Sequence, residues 1–310
     1  MPKICILVLS FNALEYTKIT IQSIFNSTVT PFYLLIVDNG SDIDVQTYLH
    51  NLVEQGACKG IIVCQNQENL GAARALNQGF SIAQKLHMKY LVKCDNDLYF
   101  WPGWLEQLLA DLKAHPDIAM VSPLRISKYT KMHYGELNSK AYQSQLAARS
   151  MLPEEELQVF FGTHNLDDGL RQFISANKKD DRIISEIPGF VPGHCQLLSM
   201  ETLQEIGYLA DPRYLQYGSD DIDLCWEILK RKHKIYVDNQ IFVYHFRHKS
   251  QPDNDERARI LNHNNQEFYN KWQNDIELLK WDPLYYDKLH DDSNEDYDIL
   301  RTMSKNWSTT

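Results

Sequence analysis

The sequence predicts an α/β protein built on a doubly wound sheet. Two continuous apolar runs, KICILVL (3–9) and FYLLIV (32–37), are typical of parallel strands that are buried on both faces. Residues 14–27 lie between them and carry apolar side chains at helical spacing. This alternation continues along the chain, and 310 residues with 44% hydrophobic composition are enough to bury a large core.

The remaining elements follow in the same order. Further strands are predicted at 60–64, 90–94, 118–122 and 195–199, and further helices at 45–53, 72–86, 103–115 and 220–232. Two short strands, KIYV (234–237) and IFVYH (241–245), close the alternation. A helical pattern then extends from about 253 to 280, followed by a Trp/Tyr-rich patch at 281–286 and a polar end.

Composition excludes some classes of function. The net charge of −10, from 31 basic and 41 acidic residues, argues against nucleic acid as the main partner. No apolar run approaches the roughly 20 residues that span a membrane, and MPKICILVLSFN does not resemble a signal peptide. We therefore expect a cytoplasmic location, with peripheral contact to the inner face of a membrane left open. The six cysteines form no C-x-x-C pair and are expected to be reduced, buried thiols.

Polar side chains stand where predicted strands end. Ser10 and Asn12 follow the first strand, Asp38 follows the second, and Asp95 and Asp97 follow the fourth. Ligands of open α/β sheets bind beyond the carboxyl ends of the strands. Two carboxylates one residue apart can share Mg²⁺ or Mn²⁺ with phosphate oxygens. An isolated D-N-D is nevertheless more often a turn, because Asp and Asn favour turns.

The order of several short motifs resembles glycosyltransferase family 2, which has the GT-A fold. These motifs are V-L-S-F-N, V-D-N-G-S, E-N-L-G…N-Q-G, D-N-D…P-G-W-L, G-S-D-D-I-D-L and V-Y-H, and they cover roughly residues 3–124 and 188–245. The resemblance implies a Rossmann-like, mixed but mainly parallel sheet flanked by helices. It also implies transfer of a sugar from a nucleotide-sugar, usually with inversion at the anomeric carbon and with a divalent metal.

The resemblance divides the chain into a catalytic domain, 1–250, and a C-terminal helical extension and tail, 251–310. Within the catalytic domain, 1–124 is the nucleotide-sugar-binding half and 189–250 the acceptor and catalytic-base half. Residues 125–188 are polar, mixed in charge and mostly helical in pattern, which indicates an insertion. We expect this insertion and the C-terminal helix to select the acceptor.

The resemblance also implies a role for each matching residue. Asp221 is the candidate general base, with Asp220 in the position of the motif's Glu. Helix capping by Asp220 or Ser219 is the alternative for this acidic turn. The implied metal ligands, for Mn²⁺ or Mg²⁺, are Asp97, Asp95 and His245. The implied nucleotide-binding residues are Ser10, Asn12, Asp38, Asn69, Gly71, Arg74 and Asp95.

Three candidates have a competing structural interpretation. Trp101 and His194 are candidates for contact with the acceptor or the sugar, and each is equally a candidate for packing in the core. Arg74 is either a phosphate contact or a surface charge. The chain also departs from the family pattern, with Leu76 and Met200 at two positions where many members carry a basic residue.

These observations predict a metal-dependent, inverting glycosyltransferase. Its expected donor is a UDP-hexose or UDP-HexNAc, and its expected acceptor is a glycan or lipid-linked oligosaccharide in bacterial surface polysaccharide or glycoconjugate assembly. A dTDP-deoxysugar donor, a peptide or protein acceptor and a homodimer are left open. The acidic residues argue against a non-catalytic binding subunit, and Asp221 argues against a retaining enzyme. SFNALEY is not the Gly-rich basic loop of a sugar nucleotidyltransferase.

Overall fold

The computed structural model describes residues 3–54, 60–126, 152–177, 184–186, 189–246 and 254–275. Its strands are β1 (Ile4–Ser10), β2 (Tyr33–Asp38), β3 (Ile61–Gln65), β4 (Tyr90–Asp95), β5 (Leu98–Phe100), β6 (Ile118–Ile126), β7 (Ile184–Glu186), β8 (Cys195–Ser199) and β9 (Lys234–His245). Its helices are α1 (Leu14–Ser27), α2 (Ile43–Glu54), α3 (Ala72–Lys85), α4 (Trp104–Ala114), α5 (Pro153–Phe161), α6 (Leu166–Asn177), α7 (Met200–Ile206), α8 (Asp220–Lys230) and α9 (Asn254–Trp272).

The described strands form one mixed sheet, in the order β3-β2-β1-β4-β8-β6-β9-β5, with β7 against β9. The half formed by β3, β2, β1 and β4 is parallel, as predicted. Strand β8 runs antiparallel between β4 and β6, and β6 is parallel to β9. Strand β1 lies between β2 and β4 and is parallel to both. Ser10 at its end lies opposite Asp38 of β2, and the preceding residue, Leu9, lies opposite Asp95 of β4.

The core lies on both faces of this sheet. Alternate residues of β1 enter different clusters: Ile6 packs with α1 and α4 on one face, and Leu7 packs with α3 on the other. Burial of both faces is what continuous apolar runs predict, since an exposed face would require polar residues at every second position. The polar residues therefore lie at the edge of a sheet that is covered on both faces.

Two features of the sheet differ from the sequence prediction. The two short strands expected at 234–245 form one strand, β9, with an irregularity in its pairing to β6 after Asp238. The three-residue strand β5 was not predicted, because it follows the D-N-D turn and is too short to show a periodic pattern. It pairs antiparallel with β9 and places Leu98 opposite His245.

The predicted insertion at 125–188 is described mainly over 152–177, where α5 and α6 lie. Both helices pack on an aromatic cluster together with side chains of β9. The predicted C-terminal helix is confirmed as α9, whereas 281–310 lies outside the described residues. The domain boundaries stay a prediction. None of the described helices has the length and apolar character needed to cross a membrane.

The described cysteines are free thiols. Cys5, Cys94, Cys195 and Cys225 are buried, and Cys64 is half-buried. Cys58 lies outside the described residues.

Candidate active site

Asp95, Asp97 and His245 meet at the carboxyl edge of the sheet. Asp95 ends β4, Asp97 directly precedes β5, and His245 ends β9. The pairing of β5 with β9 brings His245 Nε2 to 3.1 Å from Asp97 Oδ1 and 3.6 Å from Asp95 Oδ2. One potential ligand atom from each residue lies within 4.8 Å of those of the other two. We call these three residues the cleft cluster.

The cleft cluster fits a hard divalent cation. Carboxylate oxygens and an imidazole nitrogen are ligands that Mn²⁺ accepts, and Mg²⁺ accepts the oxygens. Asp95 is 40% exposed, whereas the side chains of Asp97 and His245 are 10% and 13% exposed, so the cluster is open on the Asp95 side. The surrounding backbone is held firmly: Asp95 N–H donates to His194 O at 3.0 Å, and Phe246 N–H donates to Asp97 O at 3.0 Å.

The electrostatics of the cluster also favour a bound cation. Loss of hydration raises the pKa of Asp95 to about 7, and the nearby charges of Asp97 and Asp220 add to this effect. His245 and Lys93 oppose it. Solvent reaches part of the Asp95 side chain, but the enclosing protein removes enough water to keep the shift. Carboxylates this close repel one another, and a divalent cation relieves that repulsion.

A second acidic group lies at the start of α8. Asp221 accepts a hydrogen bond from Gly193 N–H through Oδ2 at 3.0 Å and one from Ile222 N–H through Oδ1 at 2.9 Å. Asp220 is buried and accepts a hydrogen bond from Lys93 Nζ at 3.0 Å. Ser219 makes no side-chain capping bond to this helix. Helix capping by Ser219 therefore does not account for the acidic turn, and the catalytic role of Asp221 stays a prediction.

Ser10 and Asp38 lie side by side at the ends of β1 and β2. Both are fully buried, and neither Ser10 Oγ nor Asp38 Oδ2 has a hydrogen-bond partner among the described residues. Burial raises the pKa of Asp38, and hydrogen bonds from Ser41 partly oppose the rise. Buried polar atoms without partners are rare and often mark a ligand site.

The other predicted nucleotide-binding residues shape the loops beside this pair. Asn12 has a positive φ of 52°, and its Oδ1 accepts a hydrogen bond from Asp42 N–H at 2.8 Å. Asn69 Oδ1 accepts hydrogen bonds from Asn39 Nδ2 and Gly71 N–H, both at 2.9 Å. Gly71 has a φ of +83°, which only glycine adopts at little cost. Contact of these residues with a nucleotide stays a prediction.

The structure places the three ambiguous residues differently. Arg74 is exposed in the first turn of α3. His194 is buried, and its ring stacks on that of His245 with centroids 5.8 Å apart, which brings it to the cleft cluster. Trp101 is 3% exposed and stacks on Phe173 of α6 at 5.9 Å within the aromatic cluster. Its surroundings are those of a core residue, and contact with a sugar stays a prediction.

Two polar residues in this region were not singled out from the sequence. Lys93 lies in the middle of β4 and reaches Asp220. Asn264 of α9 is fully buried and bonds the backbone of the loop before α8, with its Nδ2 at 2.7 Å from Tyr217 O. Lys93 could have been noticed in the sequence, because it is a charged residue inside the apolar run YLVKC (90–94). No local pattern indicates the second, because its partners lie more than 40 residues earlier.

The chain matches a known family over most of its length. The family model of glycosyl transferase family 2 matches residues 5–207. This chain belongs to glycosyl transferase family 2. The resemblance expected from its motifs is thus confirmed. An uncharacterized glycosyltransferase of Haemophilus influenzae is 29% identical over 126 residues, and that match spans 40% of this chain but only 38% of the relative.

Two solved structures resemble the fold of this family 2 protein. The mannosyltransferase PcManGT from Pyrobaculum calidifontis, in complex with GDP-Man and Mn²⁺, has a TM-score of 0.56 and 16% identity, and the match covers 96% of this chain and 70% of that one. GalNAc-T7 with UDP, GalNAc and Mn²⁺ has a TM-score of 0.57 and 15% identity, covering 87% of this chain and 50% of that one. At this identity the likeness concerns the fold, and the predicted GT-A fold is confirmed.

The family match ends at residue 207, before α8 begins. It therefore includes Asp38, Asp95 and Asp97 but not Asp221 or His245. The assignment of the last two residues to the site rests on their geometry: His245 faces both acids of the D-N-D motif, and Asp221 is held by Gly193 beside them.

Proposed function

We propose that this protein is a metal-dependent, inverting glycosyltransferase that moves a hexose or HexNAc from a UDP-sugar to a hydroxyl group of a glycan or lipid-linked oligosaccharide. The observation that carries the proposal is that two consecutive residues, Gly193 and His194, contact both acidic groups, Asp221 and the cleft cluster. Gly193 donates its N–H to Asp221, and the next residue, His194, accepts the N–H of Asp95 through its carbonyl. A candidate base and a candidate metal cluster thus share one rigid support.

The cleft cluster is proposed to hold the cation at the diphosphate. Asp97 and His245 would be ligands of the cation. The more exposed Asp95 would either face the nucleotide or serve as a third ligand. The cation supplies electrostatic stabilisation of the negative charge on the departing nucleoside diphosphate. Mn²⁺ in both similar structures supports Mn²⁺, with Mg²⁺ as the alternative.

Asp221 is proposed to remove the proton of the acceptor hydroxyl. A bond forms between the acceptor oxygen and the anomeric carbon, the bond from that carbon to the phosphate oxygen breaks, and the proton goes to the Asp221 carboxylate. Each carboxylate oxygen accepts one backbone N–H and keeps a further lone pair for the hydroxyl. Asp220 is already engaged by Lys93, so it is not the base in this proposal.

The nucleotide is proposed to bind across the ends of β1 and β2. The unpartnered oxygens of Ser10 and Asp38 are available to its base or ribose, and the loops of Asn12, Asn69 and Gly71 would border it. Arg74, at the start of α3, is the proposed phosphate contact, and Trp101 and His194 are the proposed contacts on the sugar or acceptor side. The similar structures contain GDP-Man in one case and UDP with GalNAc in the other. The test therefore also compares donors with different nucleotide bases.

The proposed biological role is assembly of a bacterial surface polysaccharide or glycoconjugate, in the cytoplasm at the inner face of the membrane. The relative in Haemophilus influenzae is compatible with this role. Helices α5, α6 and α9 are the proposed acceptor-selecting parts.

The test is a panel of UDP-, GDP- and dTDP-sugars assayed for nucleoside diphosphate release and for sugar incorporation into an acceptor mixture. We expect release with Mn²⁺ or Mg²⁺ from a UDP-sugar and its loss in EDTA. Turnover that persists undiminished in EDTA would contradict the metal assignment. A preference for a GDP- or dTDP-sugar would show that the donor is not a UDP-sugar. Retention of the anomeric configuration in the product would exclude Asp221 as the base of an inverting displacement.

A further inference from the structure

Lys93 is an ionisable residue in a position that normally holds an apolar one. It lies in the centre of β4, and its side chain is only 5% exposed. Its neighbours Val92 and Cys94 are fully buried core residues. Burying an ammonium group costs several kcal/mol unless charged partners compensate it. The presence of a lysine here therefore depends on what its Nζ contacts.

Those contacts lie in the acidic turn at the start of α8. Lys93 Nζ is 3.0 Å from Asp220 Oδ2. A Cβ placed on Gly193 would lie 3.0 Å from Lys93 Nζ and 3.2 Å from Asp221 Oδ2. The ammonium and the Asp221 carboxylate thus flank the same small volume, which is free only because residue 193 is glycine. Burial lowers the pKa of Lys93, but the charges of Asp220, Asp221 and Asp95 outweigh it and raise that pKa.

We propose that Lys93 is a positioning residue for the base Asp221, acting through its ion pair with Asp220. The pair ties the first residue of α8 to the central strand of the sheet and so fixes the direction in which Asp221 points. Lys93 itself does not contact the acceptor. This inference rests on the function proposed above, and it assigns a role to a residue that neither the motifs nor the family match indicates.

Stability alone does not explain this arrangement. An apolar residue of similar size at position 93 would pack in the core without a desolvation cost, and replacing buried ion pairs by apolar groups is often neutral or stabilising. Without the ammonium, Asp220 would lose the contact that ties the start of α8 to β4. Since the helix begins at Asp220, a displaced Asp220 would rotate Asp221 away from the Gly193 N–H.

The test compares four variants of the full chain with the wild type: Lys93→Met, Lys93→Arg, Asp220→Asn and the double variant Lys93→Met/Asp220→Asn. Each is measured for kcat, for KM of donor and acceptor, for nucleoside diphosphate binding with Mn²⁺ by calorimetry, and for Tm. We expect Lys93→Met to lower kcat by about 10²-fold, as displacement of a catalytic group by about 1 Å does. Donor KM and nucleotide binding should stay within about 2-fold, because the cleft cluster is intact.

The double variant separates positioning from simple stabilisation. Lys93→Met and Asp220→Asn each leave one buried charge without its partner and should lower the Tm. Removing both charges should restore the Tm, yet kcat should remain as low as in either single variant, because the two residues act as one unit. Lys93→Arg, which keeps the charge, should recover part of the lost kcat. If Lys93→Met retains the wild-type kcat, or if the double variant regains both Tm and kcat, the inference is wrong while the proposed function stands. If the wild type transfers no sugar from any donor, the proposed function itself fails.

Discussion

Two acidic clusters differ in how the oxygen atoms of their carboxylates are satisfied. The cleft cluster places two carboxylates around one imidazole, with solvent on the Asp95 side. The second group, which we call the buried cluster, consists of Asp211, Asp223 and Glu227 around Lys271 of α9. Each contains at least two acids around one basic side chain, so the presence of acids at short distances does not by itself distinguish the clusters.

In the buried cluster the protein supplies every donor that the central carboxylate needs. Asp223 is 0% exposed and accepts hydrogen bonds from Tyr214 Oη at 3.0 Å and Trp272 Nε1 at 2.8 Å. Lys271 Nζ lies 2.7 Å from Asp223, 2.8 Å from Glu227 and 3.1 Å from Asp211. This network joins α9 to α8 and to the loop before it.

The difference indicates a structural role for the buried cluster and supports the metal role proposed for the cleft cluster. A carboxylate that is satisfied by lysine, tyrosine and tryptophan has no need of a ligand and contributes to the fold. Carboxylates that face each other, with a single imidazole between them, are better stabilised when a cation binds. Asp221 and Asp223 are two residues apart on one helix, and helical geometry directs them to different sides.

The largest expected effect belongs to the cleft cluster. Asp97→Asn should reduce metal-dependent transfer by about 10³- to 10⁴-fold, because it removes a ligand of a cation whose stabilisation amounts to several kcal/mol. Mn²⁺-dependent nucleotide binding, measured by calorimetry, should fall in parallel. Tm should not decrease, since the substitution relieves repulsion between carboxylates.

Asp44→Asn is the matched control, because Asp44 is an exposed acid in the first turn of α2. It should leave transfer and metal binding unchanged. An Asp97→Asn protein with normal Mn²⁺ dependence would remove the distinction between the two clusters.

The next effect concerns the buried cluster. Lys271→Met should lower the free energy of unfolding by about 3–5 kcal/mol, because it leaves the buried Asp223 without its counter-charge. Urea denaturation measures this change. Lys230→Met is the control: its pair with Asp275 has a lysine side chain that is 47% exposed, and surface pairs contribute at most about 1 kcal/mol. Equal destabilisation by both substitutions would contradict the structural role of the buried cluster.

Asp221→Asn should lower kcat by about 10²- to 10³-fold, as expected for loss of a general base. KM for the donor should change little, because the cleft cluster is intact. The Tm should fall slightly, because the two backbone N–H groups bond different oxygens of Asp221 and asparagine has only one acceptor oxygen. Steady-state kinetics with a saturating acceptor measures the effect. Transfer at the wild-type rate would exclude Asp221 as the base.

The smallest expected effect is a loss of stability in acid. Burial by itself raises the pKa of Asp211, but hydrogen bonds from Arg213 and the charge of Lys271 outweigh it and lower that pKa to about 2. Since the pKa is lower in the folded than in the unfolded state, the stabilisation is complete above about pH 4 and is lost as the pH falls toward 2. It should amount to about 2 kcal/mol.

Urea midpoints at pH 5 and pH 3, for the wild type and Asp211→Asn, check this linkage. The wild type should lose more stability between these pH values than the variant does. Identical pH dependence in the two proteins would show that Asp211 does not titrate as described.

The fold and half of the site were accessible from the sequence. Asp38 and Asp95 were predicted to lie together because each follows an apolar run, and the strand pairing places them at one edge as expected. The position of His245 was expected only from the resemblance, because it depends on β5, a strand too short to show a pattern. Lys93 and Lys271 were not predicted as ion-pair partners of the acids on α8.

The sequence by itself determined the parallel half of the sheet and the polar edge at Ser10, Asp38 and Asp95. Apolar periodicity is local, and parallel strands necessarily bring their carboxyl ends together. Only the tertiary structure decided which acids are engaged by buried donors of the protein and which lie in the partly exposed cleft cluster. Lys93 and Asp220 are 127 residues apart in the chain, and their contact follows from packing of α8 against the sheet. A carboxylate is structural or functional according to the donors around it, and those donors come from distant elements.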